Sequence, residues 1–116
     1  MAAPARVICA SEALVDGGAG IRFTVERNGR TLPAFVVRSE GVAHAYINRC
    51  AHVGVELDWQ EGQFFDPETG LLICATHGAL YDPASGVCCE GPCRGGRLLP
   101  VSIVERNGYI ELKQDD

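Results

Sequence analysis

Long hydrophobic runs, lysine and helix-forming segments are scarce in this 116-residue chain. No stretch approaches the roughly 18 consecutive apolar residues that cross a bilayer, which excludes a transmembrane helix. Residues 1–6 also lack the apolar core of an export signal, so we expect a soluble, cytoplasmic protein. Lys113 is the single lysine and the formal net charge is −5, so no basic stripe could neutralise a phosphate backbone. Nucleic acid is therefore not an expected partner.

The residues that are present favour one compact all-β domain over residues 1–116. Fourteen glycines and six prolines are interspersed with apolar runs, a composition typical of short strands joined by tight turns. Alternating or β-branched segments predict strands at residues 21–26, 31–38 and 42–48. Asn28-Gly29 and Glu40-Gly41 separate these strands and supply the positive φ values that two-residue hairpins need. The first half should form an antiparallel meander.

A second hairpin is predicted at the C-terminus, from residues 98–105, the Asn107-Gly108 turn and residues 109–113. Between the hairpins, residues 49–97 form loops around two short apolar runs, at 71–75 and 79–81. So long an irregular region in a small domain needs its own stabiliser. A bound metal centre would serve.

Cysteine and histidine are paired twice in this irregular region. The pairs are Cys50-Ala51-His52 and Cys74-Ala75-Thr76-His77, with 21 residues between His52 and Cys74. Each pair places a thiolate and an imidazole on a tight loop, where both side chains can turn toward one metal centre. Gly54 and Gly78 follow the histidines and would allow close approach of the backbone to inorganic sulfide or iron.

A structural zinc ion is the alternative occupant for two cysteines and two histidines. Zinc fingers, however, usually pair Cys with Cys and His with His, whereas here each loop supplies one residue of each type. The remaining histidine, His44, lies in a predicted strand, where we interpret it as structural.

The two loops resemble those of the Rieske iron–sulfur proteins, in which two histidines replace two cysteines on one iron of a 2Fe–2S cluster. The resemblance implies that Cys50 and Cys74 bind one iron and that His52 and His77 bind the other. The segment from His77 to Asp82, with Gly78, Ala79 and Tyr81, is similar to the family's second cluster loop. Gly91-Pro92-Cys93 is similar to its proline loop, which covers the cluster.

The family fold implies an antiparallel β-sandwich with a small cluster-binding subdomain, here about residues 48–93, inserted between strands. High-potential members carry one extra cysteine in each cluster loop and a serine after the second His-Gly. Val55, Thr76 and Ala79 occupy those positions here, so neither the disulfide nor the hydroxyl hydrogen bond can form. Without these features the reduction potential should be lower. Tyr81 acts in the opposite direction, because its hydroxyl corresponds to one that reaches a cysteine sulfur in high-potential members. We expect a potential in the lower half of the roughly −150 to +300 mV Rieske range.

By resemblance the protein is a soluble ferredoxin, an electron-transfer component of an oxidoreductase system and not itself an enzyme. It would pass single electrons from a flavin-dependent reductase to a terminal oxygenase. Because the sequence shows no sustained heptad and no exposed apolar strand, we expect a monomer. A Rieske oxygenase needs a second, mononuclear iron held by two histidines and a carboxylate, and only His44 remains for that task. The alternative is a Rieske-like small or regulatory subunit of a larger oxidoreductase such as nitrite reductase.

Charge indicates the kind of partner. Between Cys50 and Cys93 there is no lysine or arginine, and the seven acidic residues are Glu56, Asp58, Glu61, Asp66, Glu68, Asp82 and Glu90. A basic docking surface on the partner would complement this region, although a merely solvated acidic surface is the other interpretation.

Two further groups of residues in this region each have two interpretations. Cys88, Cys89 and Cys93 could form a disulfide or a second metal site, but we favour packing of reduced thiols. Trp59, Phe64 and Phe65 could dock a partner, but we favour a small satellite core beneath a long loop.

Overall fold

A computed structural model describes residues 6–51, 55–58, 60–76, 78–92 and 95–113 of the protein. The described residues form nine strands in three antiparallel sheets of three strands each, which confirms the all-β prediction. The strands are β1 (Arg6–Ala10), β2 (Ile21–Arg27), β3 (Arg30–Ser39), β4 (Val42–Ile47), β5 (Leu72–Ile73), β6 (Leu80–Tyr81), β7 (Cys88–Glu90), β8 (Ile103–Arg106) and β9 (Tyr109–Leu112). A single 3-10 turn, Ser11–Ala13, is the only helical element among the described residues. No helix in those ranges has the length and apolar character needed to cross a bilayer.

The meander β2-β3-β4 forms where the sequence predicts it. Asn28 and Asn107 have φ values of 52° and 53°, the left-handed conformation that a two-residue hairpin requires. Arg27 therefore pairs with Arg30 across the first turn, and Arg106 pairs with Tyr109 across the second. The predicted turn residues set the register of both hairpins.

The strand β8 begins five residues later than predicted. Residues 98–101 run irregularly beside β4, where Ile47 N donates to Leu99 O and Val101 N donates to Ala45 O, and Ser102 O accepts the N–H of Lys113 just after β9. Pro100 pairs with Tyr46 in an isolated antiparallel bridge. Because proline has no N–H, it cannot donate a hydrogen bond to a longer ladder. The apolar residues at 98–101 thus bind the β2-β3-β4 sheet, which the local sequence pattern could not indicate.

Strand β3 is buried on both faces and separates two hydrophobic cores. Ala34 and Val36 face the first core, which lies between the β2-β3-β4 sheet and the β1-β9-β8 sheet. Phe35 and Val37 face the second core, which also contains Leu72 and other residues of the 48–93 region. The sheet β2-β3-β4 is thus a middle sheet. The β1-β9-β8 sheet, called the framework sheet below, lies on one side of it, and the region of the Cys/His loops lies on the other.

An ion pair joins the middle sheet to the framework sheet. The Arg38 guanidinium on β3 donates to Glu105 on β8 at 2.7 Å and to the backbone oxygen of Leu14 at 2.8 Å. Arg38 lowers the pKa of the Glu105 carboxyl, and Glu105 in turn raises the pKa of Arg38. This pair holds the sheets together at a distance from the Cys/His loops.

Candidate metal centre

Cys50 and Cys74 lie at the ends of two strands that lead into the second core. Cys50 follows β4, Cys74 follows β5 directly, and both side chains are buried in one cluster with Leu57 and Tyr81. Neither cysteine is disulfide-bonded. The fold therefore brings the two predicted cysteine ligands into the same core.

Each cysteine begins a hydrogen-bonded loop. Cys50 N donates to Val55 O at 2.7 Å, and Cys74 N donates to Ala79 O at 2.9 Å. Gly78 has a φ of 72°, the left-handed conformation that favours glycine, and its N–H donates to Cys74 O. Two short backbone loops are thus held closed at their cysteine ends.

The other predicted ligands, His52 and His77, and the loop residue Gly54 lie outside the described residues. Within the described ranges no group of three or more His, Cys, Asp or Glu side chains is arranged to hold a metal ion. The surroundings of the two cysteines test whether they suit thiolate ligands.

Tyr81 provides that test, because its hydroxyl lies 3.2 Å from the sulfur of Cys50. The backbone N–H of Ala51 donates to the same hydroxyl oxygen at 2.9 Å, which leaves the hydroxyl proton available to the sulfur. Burial, and next the contact with Cys50, raise the pKa of Tyr81 above its usual range, so the hydroxyl keeps its proton at neutral pH. A protonated phenol is a suitable donor to a thiolate that binds iron.

The segment before Pro92 packs against the second loop. Gly91 has a φ of 95°, and a Cβ atom built on it would lie 3.0 Å from the Cα atom of Ala79. Only glycine fits such an approach of two backbones. Ala79 is fully buried, whereas Gly91 and Pro92 are exposed at the surface beside the loops.

Two of the seven acidic residues in the region form ion pairs within the protein. The carboxylate of Asp58 is fully buried, and Glu56 and Asp58 both form ion pairs with Arg22 on β2. Sequence reasoning counted Asp58 as part of an acidic surface, and this is wrong because the carboxylate is bonded inside the protein. Glu61, Glu68 and Glu90 are exposed.

Asn48 is a buried residue that sequence reasoning passed over. Its side chain donates to Asp58 Oδ1 at 3.0 Å, and its side-chain oxygen accepts the N–H of Leu57 at 2.8 Å. Its position two residues before Cys50, at the end of a predicted strand, was the only signal for it in the sequence.

Cys88 is disulfide-bonded, so the prediction of a reduced thiol is wrong for this residue. The expectation depended on the reducing cytoplasm, whereas the fold brings a second sulfur within bonding distance of Cys88. Cys89 is a free, exposed thiol, and Cys93 lies outside the described residues.

Three described side chains with predicted roles, Phe64, Phe65 and His44, lie in or against the core or in a strand. Phe64 stacks on Phe35 with ring centroids 4.0 Å apart, and so belongs to the second core and not to a satellite cluster. Phe65 packs against that core, and Trp59 lies outside the described residues. His44 lies on β4 as expected, and burial lowers its pKa while the nearby charge of Asp82 opposes that shift.

Comparison with solved structures supports the fold. The chain is similar to the ferredoxin of carbazole 1,9a-dioxygenase from Nocardioides aromaticivorans IC177, with a TM-score of 0.70 and 20% identity over 95% of this chain and 97% of that chain. It is similar to a chain of the complex of reduced oxygenase and oxidized ferredoxin in carbazole 1,9a-dioxygenase, with a TM-score of 0.67 and 20% identity over 91% and 89% of the two chains. It also matches dicamba monooxygenase, with a TM-score of 0.71 and 22% identity over 97% of this chain but 33% of that chain. No curated protein sequence matches the chain.

A family model settles the assignment. The model described as Rieske [2Fe-2S] domain matches residues 5–105, which is most of the chain. Two buried thiols in one core, with a tyrosine hydroxyl on one sulfur, fit the thiolate side of such a cluster. The chain therefore belongs to the Rieske domain family, and its cofactor is a 2Fe–2S cluster.

Proposed function

We propose that the protein is a one-electron carrier, a Rieske ferredoxin in which Cys50 and Cys74 bind one iron and His52 and His77 bind the other. The observation that carries the proposal is the burial of both cysteine thiols in one core, with the Tyr81 hydroxyl 3.2 Å from the Cys50 sulfur. When bound, the cluster accepts and releases single electrons. The protein itself excludes water around the thiolates with Leu57, Phe64 and Ala79, all fully buried.

The histidine count favours a carrier over an oxygenase. Rieske oxygenases use a mononuclear iron with two histidines and a carboxylate, and this sequence has His44 alone beyond the two proposed ligands. The match to dicamba monooxygenase extends over only 33% of that chain, whereas the match to the carbazole dioxygenase ferredoxin extends over 97%.

The electron acceptor in this proposal is a terminal oxygenase, and the donor is a flavin-dependent reductase. Support for the acceptor comes from the similar fold of a ferredoxin solved in complex with the oxygenase of carbazole 1,9a-dioxygenase. The donor follows from the family resemblance.

The docking surface in this proposal is the protein surface around the two cysteine loops. Ala51, Val55 and Pro92 are exposed there, and 37% of Val55 is accessible, which gives the surface an apolar centre. Glu90 is exposed on β7 beside Gly91 and contributes negative charge. An apolar centre with an acidic edge suits a partner that presents basic residues around its own redox centre.

The ligand assignment is tested by metal analysis of anaerobically purified variants. Wild-type protein should contain two iron and two sulfide per chain, and Cys50→Ser and Cys74→Ser should lose most of both. Cys89→Ser is the matched control, since Cys89 is a free, exposed thiol outside the second core, and it should keep the full cluster. One zinc per chain, or loss of iron in Cys89→Ser and not in Cys50→Ser, would contradict the assignment.

The docking surface is tested with a basic c-type cytochrome as electron acceptor. The second-order rate should fall as salt is added, and Glu90→Gln should reduce the low-salt rate by about twofold or more. Glu12→Gln is the control, because Glu12 is exposed on the 3-10 turn next to the framework sheet. Equal rates for the two variants would show that the acidic edge takes no part in docking.

A further inference from the structure

We propose that Asn48 is a positioning residue that holds both cysteine loops at the spacing the cluster requires, and that Asp58 and Arg22 keep Asn48 in place. The inference rests on the proposed ligands Cys50 and Cys74. It assigns a role in cluster binding to three residues outside the ligand motifs.

Asn48 is anchored to the middle sheet on one side. It follows β4 directly, it is 1% exposed, and its backbone N–H donates to Pro33 O on β3 at 2.9 Å. Its side chain then crosses to residues 57 and 58, where it accepts the Leu57 N–H at 2.8 Å and donates to Asp58 at 3.0 Å. A single buried amide thus fixes the segment 55–58 to the sheet.

The segment 55–58 contacts the backbone at both cysteines. Val55 O accepts the N–H of Cys50 at 2.7 Å, and Leu57 O accepts the N–H of Ala75 at 3.0 Å. Ala75 is the residue after Cys74, so the segment lies between the starts of the two loops. A shift of Leu57 would therefore move one cysteine relative to the other.

Asp58 and Arg22 prevent that shift. The second carboxylate oxygen of Asp58 accepts the N–H of Gly62 at 3.0 Å and lies 3.6 Å from Arg22 Nε. A buried carboxylate without partners is unfavourable, so each member of the set favours the bonded arrangement of the others. Arg22 also pairs with Glu56, which ties the same segment to β2 at a second point.

A purely structural role is the competing explanation, and the protein contains a matched control for it. The Arg38–Glu105 pair is also partly buried and also joins two parts of the fold. It lies between the middle and framework sheets, and none of its hydrogen bonds involves a residue of the cysteine loops.

The test compares Asn48→Leu, Arg22→Gln and Glu105→Gln in cluster-loaded protein. Asn48→Leu should release iron to a chelator about 10-fold faster than wild type or more. Arg22→Gln should also release iron faster, but by a smaller factor. The release rate of Glu105→Gln should stay within about twofold of wild type. Asn48→Leu and Arg22→Gln should also change the g values of the reduced protein and its midpoint potential, which a general loss of stability would not do. Thermal unfolding of all three variants supplies the stability reference.

Two outcomes would overturn the inference. The first is iron release that follows the thermal midpoint alone, with wild-type g values in Asn48→Leu. If Asn48→Leu does not fold, Arg22→Gln tests the inference instead, because Arg22 is exposed. The second outcome is then a wild-type rate of iron release with wild-type g values in Arg22→Gln. Wild-type protein that binds no iron would instead refute the proposed ligand set, so the two failures are distinguishable.

Discussion

The two faces of strand β3 are stabilised in different ways. On the face toward the framework sheet, Ala34 and Val36 pack against aliphatic side chains such as Ile110 of β9. The strands of these two sheets are four to ten residues long. The face toward the cysteine loops packs Phe35 and Val37 against a region whose strands are two or three residues long. The first region is stabilised by sheet and apolar burial, whereas the second depends on loops fixed by the Asn48 and Asp58 side chains.

Under the proposed ligand assignment, this difference explains which region carries the cofactor. Short strands leave the backbone free to form tight loops that present thiols, and the middle sheet gives those loops a rigid support. The cluster then contributes stability where strands do not.

Replacing Phe35 with alanine should have the largest effect, because its ring is fully buried and stacks on Phe64. We expect a loss of about 3–5 kcal/mol in the free energy of unfolding and faster loss of iron. Val36→Ala, on the opposite face of the same strand, should cost about 2 kcal/mol and leave iron retention unchanged. Chemical denaturation and iron release measure the two effects, and equal iron loss in both variants would remove the distinction between the faces.

Removing the iron should affect the two regions unequally. In the apo-protein, amide hydrogens of β5, β6 and β7 should exchange about 10-fold faster or more than in the loaded protein, because the cluster no longer joins the loops. Amides of β2, β3 and β4 should change much less. Hydrogen exchange followed by mass spectrometry separates these segments, and uniform acceleration across all sheets would show that the protein unfolds as one unit.

Tyr81→Phe should lower the reduction potential and leave the fold intact. The hydroxyl next to the Cys50 sulfur stabilises the more negative, reduced cluster. If the bond is stronger by about 1 kcal/mol in the reduced state, its loss lowers the potential by roughly 40 mV for one electron. Tyr46→Phe is the control, since its hydroxyl donates to Pro83 O and not to a cysteine. A voltammetric midpoint that moves equally in both variants would argue against a specific bond.

Glu105→Gln should have the smallest effect, confined to stability. At neutral pH the partly exposed Arg38–Glu105 pair should contribute about 0.5–1 kcal/mol. Because Arg38 lowers the folded-state pKa of Glu105, this contribution is complete above the unfolded pKa of about 4.3 and disappears as pH falls through the folded pKa. The stability difference between wild type and variant, measured by denaturation at several pH values, should shrink toward zero in acid. A difference independent of pH would mean that the carboxylate charge is not the cause.

The hairpins could be predicted from the sequence, whereas strand β1, the start of β8 and much of the cysteine region could not. The hairpins could be predicted because their turns depend only on the two turn residues, Asn28-Gly29 and Asn107-Gly108. Apolar alternation along a strand also indicates which of its faces is buried. The continuous apolar run 33–37 was a signal that β3 is covered on both faces.

Two of the misses in the cysteine region involve contacts between residues distant in sequence. Asp58 was counted with the surface acidic residues because its partner Arg22 lies on β2, 36 residues earlier in the sequence. Phe64 looked like a satellite residue because Phe35, on which it stacks, lies in the middle sheet. The disulfide at Cys88 depended on local geometry that cysteine spacing alone does not determine.

In the proposed cluster, one iron is bound by two imidazoles, from His52 and His77. The most direct measurement is pulsed EPR of the reduced protein with ¹⁵N-labelled histidine, on wild type and on His44→Gln. We predict coupling to two imidazole nitrogens bound to iron in both samples, since His44 lies on β4 and is not a ligand. Absence of imidazole coupling in the wild type, or its partial loss in His44→Gln, would contradict the account.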